Sequence, residues 1–143
     1  MDTSVWSLAL RRSRKADGRF EHELGELIRE GRVEMVGPIR QELLSGVKQI
    51  KEFQRLRDEL RAFPDVELQS RDFEEAAAFF NRCRQQGVQG SNTDFLLCAV
   101  AVRRNVSIFT TDADFTHFTR VLPIHLHALG SPRAVRTPPD RGV

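Results

Sequence analysis

Apolar residues recur along this chain at two spacings, and their alternation divides it into short strands and longer helices. Val5, Trp6, Leu8 and Leu10 are compatible with a short helix at the start, and "RRSRKADGR" then reads as a polar, basic loop. Phe20, Leu24, Leu27 and Ile28 share one helical face, with Gly31 as the stop. Val33, Met35 and Val36 predict a short strand. Pro38 then suits the first turn of a helix in which Ile39, Leu43 and Val47 recur. Ile50, Phe53, Leu56 and Leu60 mark the inner face of the next helix, closed by Pro64. Val66 and Leu68 alternate as in a strand, and Ser70 can cap a helix that Gly87 ends. From Phe95 to Val102 the chain is apolar almost all round, the pattern of a buried helix. "VSIFTT" then predicts a buried strand, "DADFTHFTR" a turn and short helix, and "VLPIHLHAL" a last strand. Pro123 places that strand at a sheet edge, because proline cannot donate to a ladder.

Strands alternating with helices predict an α/β fold with a mostly parallel sheet flanked by helices. At 143 residues the chain is long enough for one domain with a proper core, here 1–129. Residues 130–143 lose the apolar pattern and gather Pro132, Pro138 and Pro139, so they read as a disordered tail. The net charge is only +2. Arg133, Arg136 and Arg141 against Asp140 supply it from the tail, which leaves the body balanced. That excludes a uniformly basic surface, so nucleic acid would have to meet local patches or metal ions. Cys83 and Cys98, the only cysteines, fall in apolar helical patterns and read as reduced core residues of a cytoplasmic protein. No stretch approaches the length of a membrane span.

Most acids lie on polar helix faces, but a few stand where surface acids do not usually stand. Asp2 precedes an apolar run, and Glu42 borders the apolar face of its helix beside Leu43 and Leu44. Asp94 opens the most apolar helix, and Asp112 directly follows the buried strand, with Asp114 two residues on. Open parallel sheets bind ligands at the carboxyl ends of their strands. Carboxylates converging there would repel one another and hold protons. Magnesium or manganese relieves that repulsion, and such a cluster suits metal-assisted attack of water on a phosphodiester. Each acid also has a structural reading. "SNTD" can form a capping box in which Ser91 caps and Asp94 favours the helix dipole, and Asp112 and Asp114 can cap the short helix after the strand.

Taken in order, "DTSVW", "GPIRQELLSG", "GSNTDFLLCAVAVRRNVSIFTTDADF" and "VLPIHLH" resemble a PIN-domain ribonuclease, more narrowly the VapC toxins of bacterial toxin–antitoxin pairs. The likeness spans roughly residues 2 to 127. It implies a PIN-like fold and a magnesium- or manganese-dependent endoribonuclease. Position by position, it implies an acidic quartet of Asp2, Glu42, Asp94 and Asp112, with Asp114 as an accessory metal-binding acid and Ser4 and Thr111 as orienting hydroxyls. It also implies an RNA substrate, transfer RNA among the candidates, a homodimer, and a small antitoxin that blocks the acidic pocket. Family members carry a hydrophobic strand before the first acid. Only Met1 precedes Asp2, so the first strand is expected to be truncated. A truncated strand leaves a second reading open, a catalytically impaired module that binds an antitoxin without cleaving RNA.

Three other features read more plainly. His125 and His127, two apart in a strand, are half-exposed strand residues rather than metal ligands without a third partner. Phe79 and Phe80 belong to the core or to a dimer interface rather than to a base-stacking platform. A receiver-like phosphoacceptor domain also clusters acids around magnesium, but it calls for a lysine at a strand end. Lys15, Lys48 and Lys51, the only lysines, follow no predicted strand.

Overall fold

The structure, a computed structural model, describes residues 4–5, 26, 29–31, 33–110 and 112–127. Its sheet is parallel throughout and short in every strand. β1 (Ser4–Val5) lies in the middle, with β2 (Val33–Glu34) on one side and β3 (Ser107–Ile108) on the other. Ser4 registers with Val33 and with Ser107, and Val5 with Glu34 and with Ile108. Single bridges widen the sheet at both edges, Met35 to Asp65 beyond β2 and Ile108 to Leu126 beyond β3. After β2 the chain adds Asp65 outward, then crosses to the far side of β1 to lay down β3. The strand order therefore reverses at β1, and the crevice at such a switch point is where open α/β sheets bind ligands.

The expected helices form with shorter ends. α1 (Gly37–Leu44) starts with Pro38 in its first turn and buries Ile39 and Leu43, while Val47 falls beyond its end. α2 (Ile50–Leu60) keeps only Leu60 fully inside. Phe53 and Leu56 are half-buried, and Ile50 is 69% exposed because the amino end of α2 runs clear of the core. Arg40 fastens the other end. Its Nη1 donates to the Leu60 carbonyl at 3.0 Å and its Nε to Asp65 Oδ1 at 2.9 Å, while its Nη2 donates to the Phe63 carbonyl. These bonds tie the turn after α2, where the Leu60 carbonyl also accepts from the Phe63 N–H at 3.0 Å, to α1, and they hold Asp65 beside β2.

α3 (Ser70–Gln85) and α4 (Asn92–Arg104) form the main helical pair. Asp72, Ala76, Phe79 and Cys83 recur at i, i+4, i+7 and i+11, so one face of α3 is buried from end to end. α4 is buried continuously from Asp94 to Ala101, as its unbroken apolar run predicts. Cys83 and Cys98 are free thiols with no exposed surface. Gly87, in the left-handed region at φ 76°, turns the chain out of α3, and Asn105 does the same after α4 at φ 56°. α5 (Asp114–Phe118) buries Phe115 and Phe118.

At the start of α3, Gln69 takes the cap position that the sequence assigned to Ser70, which is the first helical residue. The Gln69 N–H donates to Asp72 Oδ2 at 2.9 Å. Asp72 Oδ1 accepts from Arg103 Nε at 2.5 Å, and Arg103 Nη2 donates to the Glu67 carbonyl at 3.1 Å. Burial pushes the Asp72 carboxyl up. The Arg103 and Gln69 hydrogen bonds, with the charges of Arg103 and Arg71, outweigh burial and hold it below its ordinary value. This partly buried ion pair locks α3 onto the last turn of α4.

Two other expectations are corrected. The opening apolar run was predicted as a short helix, yet Ser4 and Val5 are paired on both sides as the central strand. A strand slot between two neighbours gives backbone groups partners that an isolated short helix at a chain end cannot match. The strands predicted from Val66 and Leu68 and from "VLPIHLHAL" reduce to single bridges at the sheet edges, because each has a neighbour on one side only. The basic loop 11–19, the helical face of Phe20, Leu24, Leu27 and Ile28, and the tail 130–143 lie outside the described residues. Among the described residues no helix is long and apolar enough to cross a membrane.

Candidate active site

Helices that connect parallel strands run back along the sheet, so each begins near the strands' carboxyl ends. α4 ends at Arg104, just before β3 starts, and its first turn therefore lies toward the end of the sheet where β3 finishes. Asp94 occupies that first turn and Asp112 follows β3 by four residues. Topology alone brings them to one end of the sheet, on the β3 side of the switch point.

The cap of α4 fixes Asp94. Ser91 N–H donates to Asp94 Oδ2 at 3.1 Å, and Asp94 N–H donates to Ser91 Oγ at 3.1 Å. The capping box read from "SNTD" is thus formed, and it leaves Asp94 only 8% exposed. Burial raises its carboxyl above the ordinary value. The Ser91 hydrogen bonds oppose this, and the negative charges of Asp112 and Asp114 reinforce it.

Local hydrogen bonds shape the facing turn. Asp112 N–H donates to Thr110 Oγ1 at 2.9 Å, and Asp112 Oδ1 accepts from Asp114 N–H at 2.9 Å. This is the two-residue side-chain turn that aspartate favours, and it leads into α5. Asp112 is half-buried and Asp114 exposed. Thr110, which the sequence did not single out, holds the Asp112 backbone. Its signal was its place two residues before an aspartate at a strand end.

Glu42 is half-buried on α1 and is not among the charges that act on Asp94. It is the sixth residue of its helix, about 7.5 Å along the axis from the first at 1.5 Å per residue. Asp94 is the third residue of its own. Of the expected quartet the structure describes Glu42, Asp94 and Asp112. Asp94 and Asp112 come together with Asp114, and Glu42 stands farther down its helix. Asp2, Thr111 and the side chain of Ser4 lie outside the described residues.

An all-oxygen donor set suits a hard divalent cation. A buried carboxyl on which two further carboxylates act fits that chemistry. Among the described residues no three His, Cys, Asp or Glu side chains close into a metal-binding group. A cation there would keep part of its water shell, as magnesium commonly does. The two strand histidines separate. His127 is buried with its ring edge-on to Phe109, centroids 5.1 Å apart, and His125 is exposed.

The sequence model of the PIN domain matches residues 1–121. The chain belongs to the PIN-domain family. None of the curated proteins matches it significantly in sequence. Solved structures share its fold. FitAcB from Neisseria gonorrhoeae superposes with a TM-score of 0.69 at 14% identity, covering 88% of this chain and 97% of that one. VapBC2 from Rickettsia felis, bound to a DNA fragment from their promoter, gives 0.69 at 16%, covering 87% and 97%. VapBC-1 from nontypeable Haemophilus influenzae gives 0.66 at 12%, covering 89% and 97%. This PIN domain therefore matches those chains over nearly their whole length, while identities this low carry the fold alone.

Proposed function

We propose that this PIN domain is a divalent-metal-dependent endoribonuclease, the toxin of a toxin–antitoxin pair acting in the cytoplasm. The observation that carries the reading is Asp94. It is a buried carboxyl in the first turn of the most apolar helix, raised by burial and faced by Asp112 and Asp114. Perturbed acids at the switch point of an open sheet mark a site for charge chemistry. Asp2, Asp94, Asp112 and Asp114 would hold magnesium or manganese, directly or through water, and Glu42 completes the catalytic quartet. When bound, the cation supplies positive charge to the reacting phosphate and makes water more acidic. A carboxylate of the site would accept the proton as water attacks phosphorus in line, the bond from phosphorus to the 3′-oxygen would break and that oxygen would leave with a proton from solvent, while Ser4 and Thr111 orient the acids. Products with 5′-phosphate and 3′-hydroxyl ends follow from the same reading. The substrate is RNA, with transfer RNA the first class to try. An antitoxin that blocks the acidic face and a homodimeric state complete the proposal, supported by structural likeness to VapBC assemblies.

The test is cleavage of a varied RNA set by the purified chain with magnesium, beside Asp94→Asn. Metal-dependent cleavage by the wild type alone is expected. Equal cleavage by both would remove Asp94 from the mechanism. One observation favours a second reading, a PIN-like module that binds an antitoxin without cutting RNA. The residues paired as β1 follow Asp2 in the chain, whereas Asp112 follows its own strand. No cleavage at any magnesium or manganese level, with antitoxin binding retained, would establish that alternative.

A further inference from the structure

Behind the acidic turns lies a tight aromatic contact that the reaction does not use directly. Phe95 follows Asp94 in the chain, and Phe115 follows Asp114. Phe118 lies between these two rings, its centroid 4.9 Å from Phe95 and 5.0 Å from Phe115. Phe95 and Phe115 are 1% exposed and Phe118 is wholly buried. Gly90, one residue ahead of the Ser91 cap, rests directly on this group. A Cβ at position 90 would stand 2.6 Å from Phe118 Cζ and 3.1 Å from both Phe118 Cε1 and Phe95 Cε2. Both rings are buried, so a side chain there would displace the Phe118 ring or the start of α4. Glycine fits this point because the backbone lies against the outer edge of the Phe118 ring.

We infer that Gly90 and Phe118 are positioning residues that set the spacing at which Asp94 faces Asp112 and Asp114. This rests on the acidic face being the metal site. Like charges favour separation of the two turns. Each turn carries a ring on the residue after its acid, and Phe118 joins those rings from behind. The aromatic contact therefore opposes the repulsion in the metal-free protein and keeps the face assembled for a cation. Outer-shell groups hydrogen-bonded to metal ligands typically change metal affinity by about 10–100-fold when altered, and packing that sets ligand spacing is expected at the lower end of that range.

The test compares full-length wild type, Gly90→Ala, Phe118→Leu and the double variant. Manganese affinity is measured by calorimetry and stability by urea unfolding. Gly90→Ala is expected to weaken manganese binding by about tenfold or more. The double variant, which removes the ring atom at 2.6 Å, is expected to bind no more weakly than Phe118→Leu alone, because both changes act at one contact. Unchanged affinity in a destabilised Gly90→Ala would overturn the inference. Should Gly90→Ala not fold, Phe118→Leu alone decides. Weaker binding supports the role, and wild-type affinity sinks it. If wild type binds no manganese, the metal reading itself fails. The spacing claim is then read from amide exchange in metal-free protein. Faster exchange at both Asp94 and Asp114 in Gly90→Ala or Phe118→Leu supports coupled turns, and a change confined to Asp94 refutes it.

Discussion

Two aspartates of this PIN domain share one local design and meet opposite surroundings. Asp72 and Asp94 are each the third residue of a helix, each buried, and each accepts the backbone N–H of its cap residue, at 2.9 and 3.1 Å. In the local sequence both are helix-start acids. What separates them is what their remaining carboxylate faces. Asp72 meets Arg103 from the end of α4 and is held below its ordinary value despite burial. Asp94 lies under the negative charges of Asp112 and Asp114, and burial with like charge holds it above. A capped, paired acid is a fastening. A capped acid that faces its own kind costs stability, and such a cost is retained where chemistry needs it.

The contrast can be broken at either acid, and the largest effect is expected on activity. Asp94→Asn keeps an oxygen for the Ser91 N–H and should lower metal-dependent RNA cleavage by about 10²–10³-fold, the scale of losing one transition-state contact. Its metal-free melting temperature should equal or exceed that of wild type, since a repelled charge is gone. A clear fall in melting temperature would make Asp94 a fastening like Asp72. Next comes the metal response. At a hundred times its dissociation constant, manganese should stabilise the wild type and Asp72→Asn by about 2.7 kcal/mol. Asp94→Asn should show little of this gain in urea unfolding, and an equal gain would place the cation elsewhere.

Asp72→Asn should cost about 1–3 kcal/mol of stability, read from the urea midpoint. The partial exposure of Arg103 keeps the figure in that range. Cleavage per folded molecule should stay within about twofold, and a greater loss would give Asp72 a part in the site. The smallest effect is in pH. A lowered acid contributes stability that is fully present above its unfolded value, near 3.8, and lost as pH falls through its lower folded value. Asp72→Asn should therefore flatten the acid limb of a stability–pH curve. Asp94 has the other sign. Between its unfolded value and its raised folded value the native state binds more protons, so metal-free stability falls as pH rises. Asp94→Asn should remove that slope, and the same slope in both proteins would count against the geometry.

The sequence carried most of what is periodic and local. The buried run of α4 and the strand at "VSIFTT" were legible because burial imposes a pattern on apolar residues. The Ser91–Asp94 box was legible because it needs only neighbours. Two strands shrank to bridges, and Ser4 and Val5 joined the sheet rather than a helix, because pairing is decided by partners far along the chain. For the site, the order of acids at strand and helix ends was enough to bring Asp94, Asp112 and Asp114 to one end of the sheet. The partner of Asp72, thirty-one residues away, had no local signal. Nor did the contact of Gly90 with Phe118, because a glycine before a cap looks like any loop glycine.

The α3–α4 pairing also provides a chemical clock. Cys83 and Cys98 carry thiols with no exposed surface, and burial raises both above the ordinary cysteine value. Alkylating reagents attack thiolate, so neither sulfur reacts until the two helices part. With an opening free energy of about 5 kcal/mol, labelling would run more than about 10³-fold slower than for a free thiol. One reagent and a mass spectrometer would thus time the breathing of the very layer that supports Asp94, with no residue of the chain replaced.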